Sequence, residues 1–218
     1  MHLNTVIFDM DGLLIDSEPH WHEAANETLQ YYNKKLTTEM YTKTIGLRTR
    51  EFITYWFQYF NLPEMEMAFA ERKILESVTE KIKRRPNIMP AVPYIFNFFK
   101  ERNFKIGIAS SSPANIIELV MQLCNISAIV DAFVSAEGMQ YGKPHPQVYL
   151  ECAEKLTASP NECICFEDSF NGMIAVKAAR MKCVLVPSLA YIKDPRWAAA
   201  DLKIASLQNF NDLHLNMF

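Results

Sequence analysis

The stretch Thr5-Val6-Ile7-Phe8-Asp9-Met10-Asp11-Gly12 decides how the chain is read: four apolar or β-branched residues run without a break into two aspartates and a glycine. A short apolar run with no polar alternation suits a strand buried on both faces, which is the habit of parallel sheets. Similar runs recur at Lys105 to Ala109, Ala132 to Ser135, Cys163 to Phe166 and Cys183 to Val186. Helical stretches separate them: Ala114 to Leu123 after Ser112-Pro113, Pro146 to Leu156 with apolar residues at helical spacing, and the alanine-rich Asn171 to Met181. Strands alternating with helices imply an α/β fold, a doubly wound parallel sheet covered on both faces.

Between the first two strands the rhythm changes. From about Asp16 to Arg85 no strand-like run occurs, whereas Ile74, Leu75, Val78 and Ile82 share one helical stripe. This segment, residues 16–85, is expected to be an inserted helical domain, and 1–15 with 86–218 the α/β core. Pro86, Pro90 and Pro93 mark the return to the sheet. Within the insertion, Tyr55-Trp56-Phe57 with Tyr59 and Phe60 reads as packing, and His20 and His22 read as hinge-surface residues.

With 218 residues, half of them hydrophobic, the chain can bury a full core. A net charge of -3 and no basic run beyond Lys83, Arg84 and Arg85 give nothing with which to neutralise a nucleic-acid backbone. No long apolar span or leader pattern is visible, so a cytoplasmic monomer with neither membrane nor nucleic-acid partner is expected. The five cysteines lack a C-x-x-C pair, so Cys163 and Cys165 read as buried thiols rather than metal ligands.

In open parallel sheets ligands sit outside the carboxyl ends of the strands. Asp9 and Asp11 follow the first strand, Ser110 and Ser111 the second, Glu167 and Asp168 the fourth, and Lys143 lies in Gly142-Lys143-Pro144 after the third. Two carboxylates about 4 Å apart at an effective dielectric of about 20 repel by about 4 kcal/mol, so four together need a cation or a proton. An oxygen-only ligand set favours a hard ion, and Mg²⁺ characteristically takes one or two carboxylates plus a substrate phosphate. Such a site suits phosphoryl transfer, with Asp9 as nucleophile, Asp11 as general acid and base, and Lys143 and Ser110 around the phosphoryl oxygens. A turn closing the strand remains the plain alternative for Asp9 to Gly12, and helix capping the plain alternative for the serines, Ser112 above all.

Phe8-Asp9-Met10-Asp11-Gly12, Ser110, Lys143 and Glu167-Asp168 resemble, in order and spacing, the four motifs of the haloacid dehalogenase superfamily. The resemblance spans nearly the whole chain, and the insertion resembles a C1-type helical cap. Longer strings, DMDGLLIDSEP from residue 9, KPHPQVYLECAEKL from 143 and EDSFNGMIAVKAARM from 167, are similar to the bacterial hexitol phosphatase and 2-deoxyglucose-6-phosphatase subgroup. The resemblance implies a phosphatase acting on small phosphorylated metabolites such as sugar or sugar-alcohol phosphates. It implies a Mg²⁺ held by the Asp9 carboxylate, the Asp11 backbone carbonyl and Asp168, with Glu167 helping directly or through water.

Trp21 and Pro113 depart from the related β-phosphoglucomutases, which carry a histidine and a phosphate-gripping lysine at those places. A hexose phosphate mutase is therefore the second expectation, and a phospho-accepting signalling module the third. Ser111 and Asn115 near the second motif, Arg48 in Gly46-Leu47-Arg48-Thr49-Arg50 and Trp21 complete the expected phosphate and substrate contacts.

Overall fold

The computed structural model describes residues 3–218. Its centre is a six-stranded sheet, all parallel: β1 (Thr5–Phe8), β2 (Lys105–Ser110), β3 (Ala132–Ser135), β4 (Cys163–Glu167), β5 (Lys182–Leu185) and β6 (Leu202–Lys203), in the order β3-β2-β1-β4-β5-β6. The chain winds outward from β1 in one direction and, after β3, crosses back to wind in the other. The carboxyl ends of β1 and β4 therefore flank the point where the winding reverses, the usual place for a ligand crevice in such sheets.

Alternation along β1 divides the core. Val6 and Phe8 face one apolar layer and Ile7 the other. On the first side Phe8 stacks between Phe96 and Phe166, with ring centroids 4.7 and 5.1 Å away. On the second, Ile7 and Ala109 lie against residues of helices that the sequence also indicates, such as Tyr149, Cys152, Met173 and Val176. All five cysteines are free and buried, as expected of thiols acting as small hydrophobes.

The helices are α1 (Glu18–Gln30), α2 (Thr38–Tyr41), α3 (Thr49–Phe60), α4 (Met67–Arg84), α5 (Val92–Lys100), α6 (Ala114–Leu123), α7 (Gln147–Lys155), α8 (Phe170–Ala178) and α9 (Asp212–Leu215). The first four all lie between β1 and β2. Among them α4 packs against α1 and α3, burying Ile74, Val78 and Ile82, while Leu75 stays at the rim. In the aromatic run only Trp56 and Phe57 are fully buried; Tyr55 and Tyr59 are exposed. His20 is buried rather than on the surface, its ring nitrogen 2.8 Å from the carbonyl of Arg85, so it ties the entry of the helical segment to its exit. The two crossings run side by side, with Asp16 N–H donating to Asn87 O and Met89 N–H to Leu14 O. No helix of the described residues is long and apolar enough to cross a membrane.

Two elements go beyond the sequence expectations. β6 has only two residues and no apolar run, and is placed by tertiary contacts: Asp201 N–H donates to Cys183 O and Ile204 N–H to Leu185 O. α5 follows Pro90 and carries Pro93 in its first turn, and its apolar residues Val92, Ile95, Phe96, Phe98 and Phe99 are all buried. Asparagine also stands where glycine often ends a helix: Asn61 closes α3 at φ 53°, a left-handed position that asparagine tolerates. That substitution is consistent with a chain holding only six glycines.

Candidate active site

Phe8 pairs in register with Phe166, so the residues that follow these two fall level with each other. Asp9 therefore sits beside Glu167, and Asp9 N–H donates to Phe166 O at 2.9 Å. Lys143 is brought between them by the loop before α7. Its Nζ lies 2.5 Å from Asp9 Oδ1, 2.6 Å from Glu167 Oε1 and 3.3 Å from the carbonyl oxygen of Ala109. All three side chains are almost wholly buried. The Tyr149 hydroxyl donates to Glu167 Oε1 at 2.6 Å, and the Tyr149 ring lies beneath the ammonium at 5.0 Å.

Glu167 is the most completely bound of the carboxylates. Beyond the two donors on Oε1, its Oε2 accepts from Asp168 N–H, Ser169 N–H and the Ser169 hydroxyl, each at 3.0 Å. Ser169, the N-cap of α8, also accepts from Gly172 N–H. A Cβ on Gly172 would stand 1.7 Å from Glu167 Oε1, so only glycine lets this carboxylate lie against the first turn of α8. The same device holds Asp168: a Cβ on Gly12, at φ +80°, would stand 2.0 Å from Asp168 Oδ2.

Asp11 is held differently. Its Oδ1 accepts from the Ser17 hydroxyl at 2.6 Å and the Trp21 indole N–H at 2.9 Å. Its Oδ2 accepts from the Ser112 hydroxyl at 2.7 Å and that of Ser110 at 3.3 Å. The donors come from the crossing, from α1, and from the end of β2 and the loop after it, so Asp11 joins core to helical segment. Ser112 thus serves Asp11 rather than capping α6, whose N-cap is Pro113 with no side-chain bond.

Asp9, Glu167 and Asp168 bring carboxylate oxygens within 4.8 Å of one another. Burial raises the pKa of Asp9 against the pull of Lys143, with Glu167 and Asp11 adding to the rise. Burial likewise raises Asp168 well above the carboxylate range, reinforced by the charges of Glu167, Asp9 and Glu18. Lys143 goes the other way: burial opposes its charge, but Asp9 and Glu167 outweigh burial and keep it protonated. Negative charge therefore exceeds the one ammonium that answers it among the described residues. An all-oxygen site with this surplus fits a hard divalent cation, for which Asp9 and Asp168 are the available ligands while five donors already fill Glu167.

A cavity of about 60 Å³ opens over these groups. Asp9, Asp11, Ser111, Ser112, Lys143 and Asp168 line it from the core; Glu18, Trp21, Tyr41 and Phe52 are among the residues lining it from the helical segment. Ser110 is fully buried behind this surface. The Ser111 hydroxyl is donated to Gly46 O at 2.8 Å, and Asn171 Nδ2 to Ile45 O at 3.1 Å, so both fasten the loop before α3 to the core.

Two expected contacts lie elsewhere. Arg48 is turned from the cavity: Nη1 donates to Met139 O at 2.5 Å and to Ala136 O at 3.2 Å, and Nη2 pairs with Glu51 Oε1 at 2.5 Å. With Nη1 held by the loop that precedes Lys143 and Nη2 by Glu51, it does not line the cavity. Asn115 is exposed in the first turn of α6, outside the cavity. Sequence reasoning missed Glu18 and Tyr41, whose hydroxyl donates to Glu18 Oε2 at 2.8 Å. The acidic group beside Asp16-Ser17 was visible, but nothing in the spacing pointed it inward.

Sheet order, crossed winding and carboxylates joined through a lysine at the switch point define a doubly wound α/β enzyme with an acidic site beneath helices. Residues 6–186 match the haloacid dehalogenase-like hydrolase family, and the chain belongs to it. It is 40% identical over 204 residues to hexitol phosphatase B of Escherichia coli, covering 92% of this chain and 91% of that protein. It is 28% identical to a phosphorylated carbohydrates phosphatase of Thermotoga maritima, covering 81% and 82%. Among solved structures, β-phosphoglucomutase of Clostridium difficile superimposes with a TM-score of 0.88 at 24% identity, over 99% of this chain and 96% of that one, a likeness of fold.

Proposed function

We propose that this enzyme hydrolyses phosphomonoesters of small sugars or sugar alcohols, with Asp9 as nucleophile and Asp11 as general acid and base. The supporting observation is the buried run Asp9, Lys143, Glu167, with contacts of 2.5 and 2.6 Å, opening on a cavity that Asp11 and Asp168 share. The names of the relatives, a hexitol phosphatase and a carbohydrate phosphatase, support the substrate class.

Lys143 holds one oxygen of Asp9, and the other carries no hydrogen bond among the described residues. Attack by Asp9 forms a bond from its carboxyl oxygen to phosphorus as the ester P–O bond breaks. Asp11 gives its proton to the departing alkoxide, then takes one from the water that cleaves the acyl phosphate, so one hard step becomes two. Ser110, freed as Asp11 turns toward the leaving group, donates to a phosphoryl oxygen. Mg²⁺ held by Asp9 and Asp168, with the Asp11 carbonyl, would supply charge neutralisation for the transferring group. Glu167 keeps Lys143 charged and aimed. The helical segment 16–85 acts as the cap, excluding water when it lies over the site.

The charges lining the cavity do not favour a mutase. Lys143, the one ammonium or guanidinium lining the cavity, is already bound to two carboxylates, and Pro113 offers no charge for a second phosphate. A phosphate-release assay over sugar, polyol and nucleotide monophosphates tests the proposal. Release from sugar or polyol phosphates that stops with EDTA and is absent in Asp9→Asn is expected; full activity of that variant on p-nitrophenyl phosphate contradicts it.

A further inference from the structure

Most of the cavity wall contributed by helices is apolar: Trp21, Ala25, Ile45, Leu47, Phe52 and Ile74. Glu18 is the one carboxylate in that wall. Its Oε2 accepts the Tyr41 hydroxyl, while Oε1 has no hydrogen bond and no cation pairs with either oxygen among the described residues. Thr44, another polar group there, is already committed: its hydroxyl donates to Tyr41 O and accepts from the Trp56 indole. An unpaired carboxylate against apolar walls is costly to keep, and packing gives no reason for it. A ligand that donates hydrogen bonds does.

The chemistry of that ligand is restricted from two sides. Asp11 and Asp16 already bear on Glu18, so a second phosphate or a carboxylate would add like charge to a place already crowded with carboxylates. An uncharged chain of hydroxyls adds none. Carboxylate oxygens accept along more than one lone pair, so Oε1 can take two adjacent hydroxyls while the flanking apolar side chains cover the C–H faces between them.

We propose that Glu18 and Tyr41 form a polyol-reading subsite, in which the Glu18 carboxylate accepts from adjacent hydroxyls at the unphosphorylated end of the substrate and the Tyr41 hydroxyl fixes its orientation. The subsite rests on the phosphatase function proposed above and adds the chemistry of the leaving group. It selects for hydroxylated monophosphates and against bisphosphates and acid phosphates. Burial, eased by the Tyr41 bond and reinforced by Asp11 and Asp16, pushes Glu18 up to about 7, the mark of a site that resists further negative charge.

The test compares kcat/KM on sorbitol 6-phosphate with that on p-nitrophenyl phosphate, which carries no hydroxyl. In Glu18→Leu the ratio between the two is expected to fall at least about thirtyfold, and in Glu18→Gln, which keeps one acceptor, by less. Tyr41→Phe keeps the ring and is expected to lower the ratio about threefold, providing a second measurement if Glu18→Leu does not fold. An unchanged ratio in the variants, or faster turnover of an amino-sugar phosphate than of the matching sugar phosphate, overturns the subsite. Wild type that hydrolyses p-nitrophenyl phosphate but no hydroxylated phosphate also overturns it, together with the sugar and polyol substrate class, and leaves phosphomonoester hydrolysis through Asp9 standing. Wild type that releases phosphate from neither compound refutes both.

Discussion

The two walls of the cavity are built on opposite principles. On the core side, side chains at or just beyond strand ends crowd charge into a small volume, each fixed by several hydrogen bonds: Glu167 alone accepts five. On the helical side the wall is apolar with a single carboxylate, and its attachment runs through a few bonds from Ser111, Asn171 and Arg48. A reaction that every substrate shares needs groups that do not move, which a parallel sheet supplies. Selection among substrates needs a surface that can differ and part from the site, which helices joined by loops can supply. Asp11 stands between the walls, its four donors drawn from both.

Substitutions on the core side should therefore strike the chemistry and those on the helical side the substrate, except where a helical residue holds Asp11. The largest effect is expected from Asp9→Asn, a fall in kcat of about 10⁴ or more with unchanged circular dichroism; residual activity within about a hundredfold would break the division. Lys143→Met comes next. It leaves Asp9 and Glu167 buried without their cation, so denaturant titration should show a loss of about 3–5 kcal/mol, together with a fall in kcat of about 10³. Asp11→Asn should lower kcat by about 10³ while Mg²⁺ affinity by calorimetry changes less than about threefold, because only the backbone of residue 11 is assigned to the metal.

On the helical side the effects are smaller. Glu18 has a folded pKa of about 7 against an ordinary 4.5, so between those values the folded chain holds a proton that the unfolded chain has released. Stability from this group is full below pH 4.5 and is lost as pH rises through 7, a difference on the order of 2 kcal/mol after allowance for water in the cavity. Unfolding at pH 4 and pH 8 should show that much less decline in Glu18→Gln than in wild type. Trp21→Phe keeps an aromatic side chain, though a smaller one, and removes one of four donors to Asp11. About a fivefold lower kcat with little change in KM is expected; a change confined to KM would make Trp21 a substrate contact instead.

The same contrast governs what could be read from sequence. Every strand of the sheet but β6 was legible: burial on both faces forces an uninterrupted apolar run in β1, β2, β4 and β5, the half-buried edge strand β3 still carries an apolar run, and the motif carboxylates follow from their positions at strand ends. β6 was not, since two residues carry no periodicity and their pairing is decided by Asp201 and Ile204. On the helical wall, Arg48 was expected to face substrate because arginine suits phosphate. Nothing in its flanking residues revealed that the carbonyls of Ala136 and Met139 lie within reach. Asn115 failed for a simpler reason: proximity in sequence to the second motif does not fix which side of α6 a residue occupies. Glu18 escaped notice because a glutamate next to proline at a helix start is ordinarily a favourable charge on the helix dipole, and only the fold turns it inward beside Tyr41.

The central claim is that Asp9 is the group that receives the phosphoryl. Mixing enzyme, Mg²⁺ and sorbitol 6-phosphate, quenching in acid within milliseconds and sequencing the peptides by mass spectrometry tests it most directly. The account predicts a phosphorylated peptide modified at Asp9, formed during turnover and absent from Asp9→Asn. Turnover with no modified peptide at any quench time, or with the phosphoryl on another residue, would contradict it.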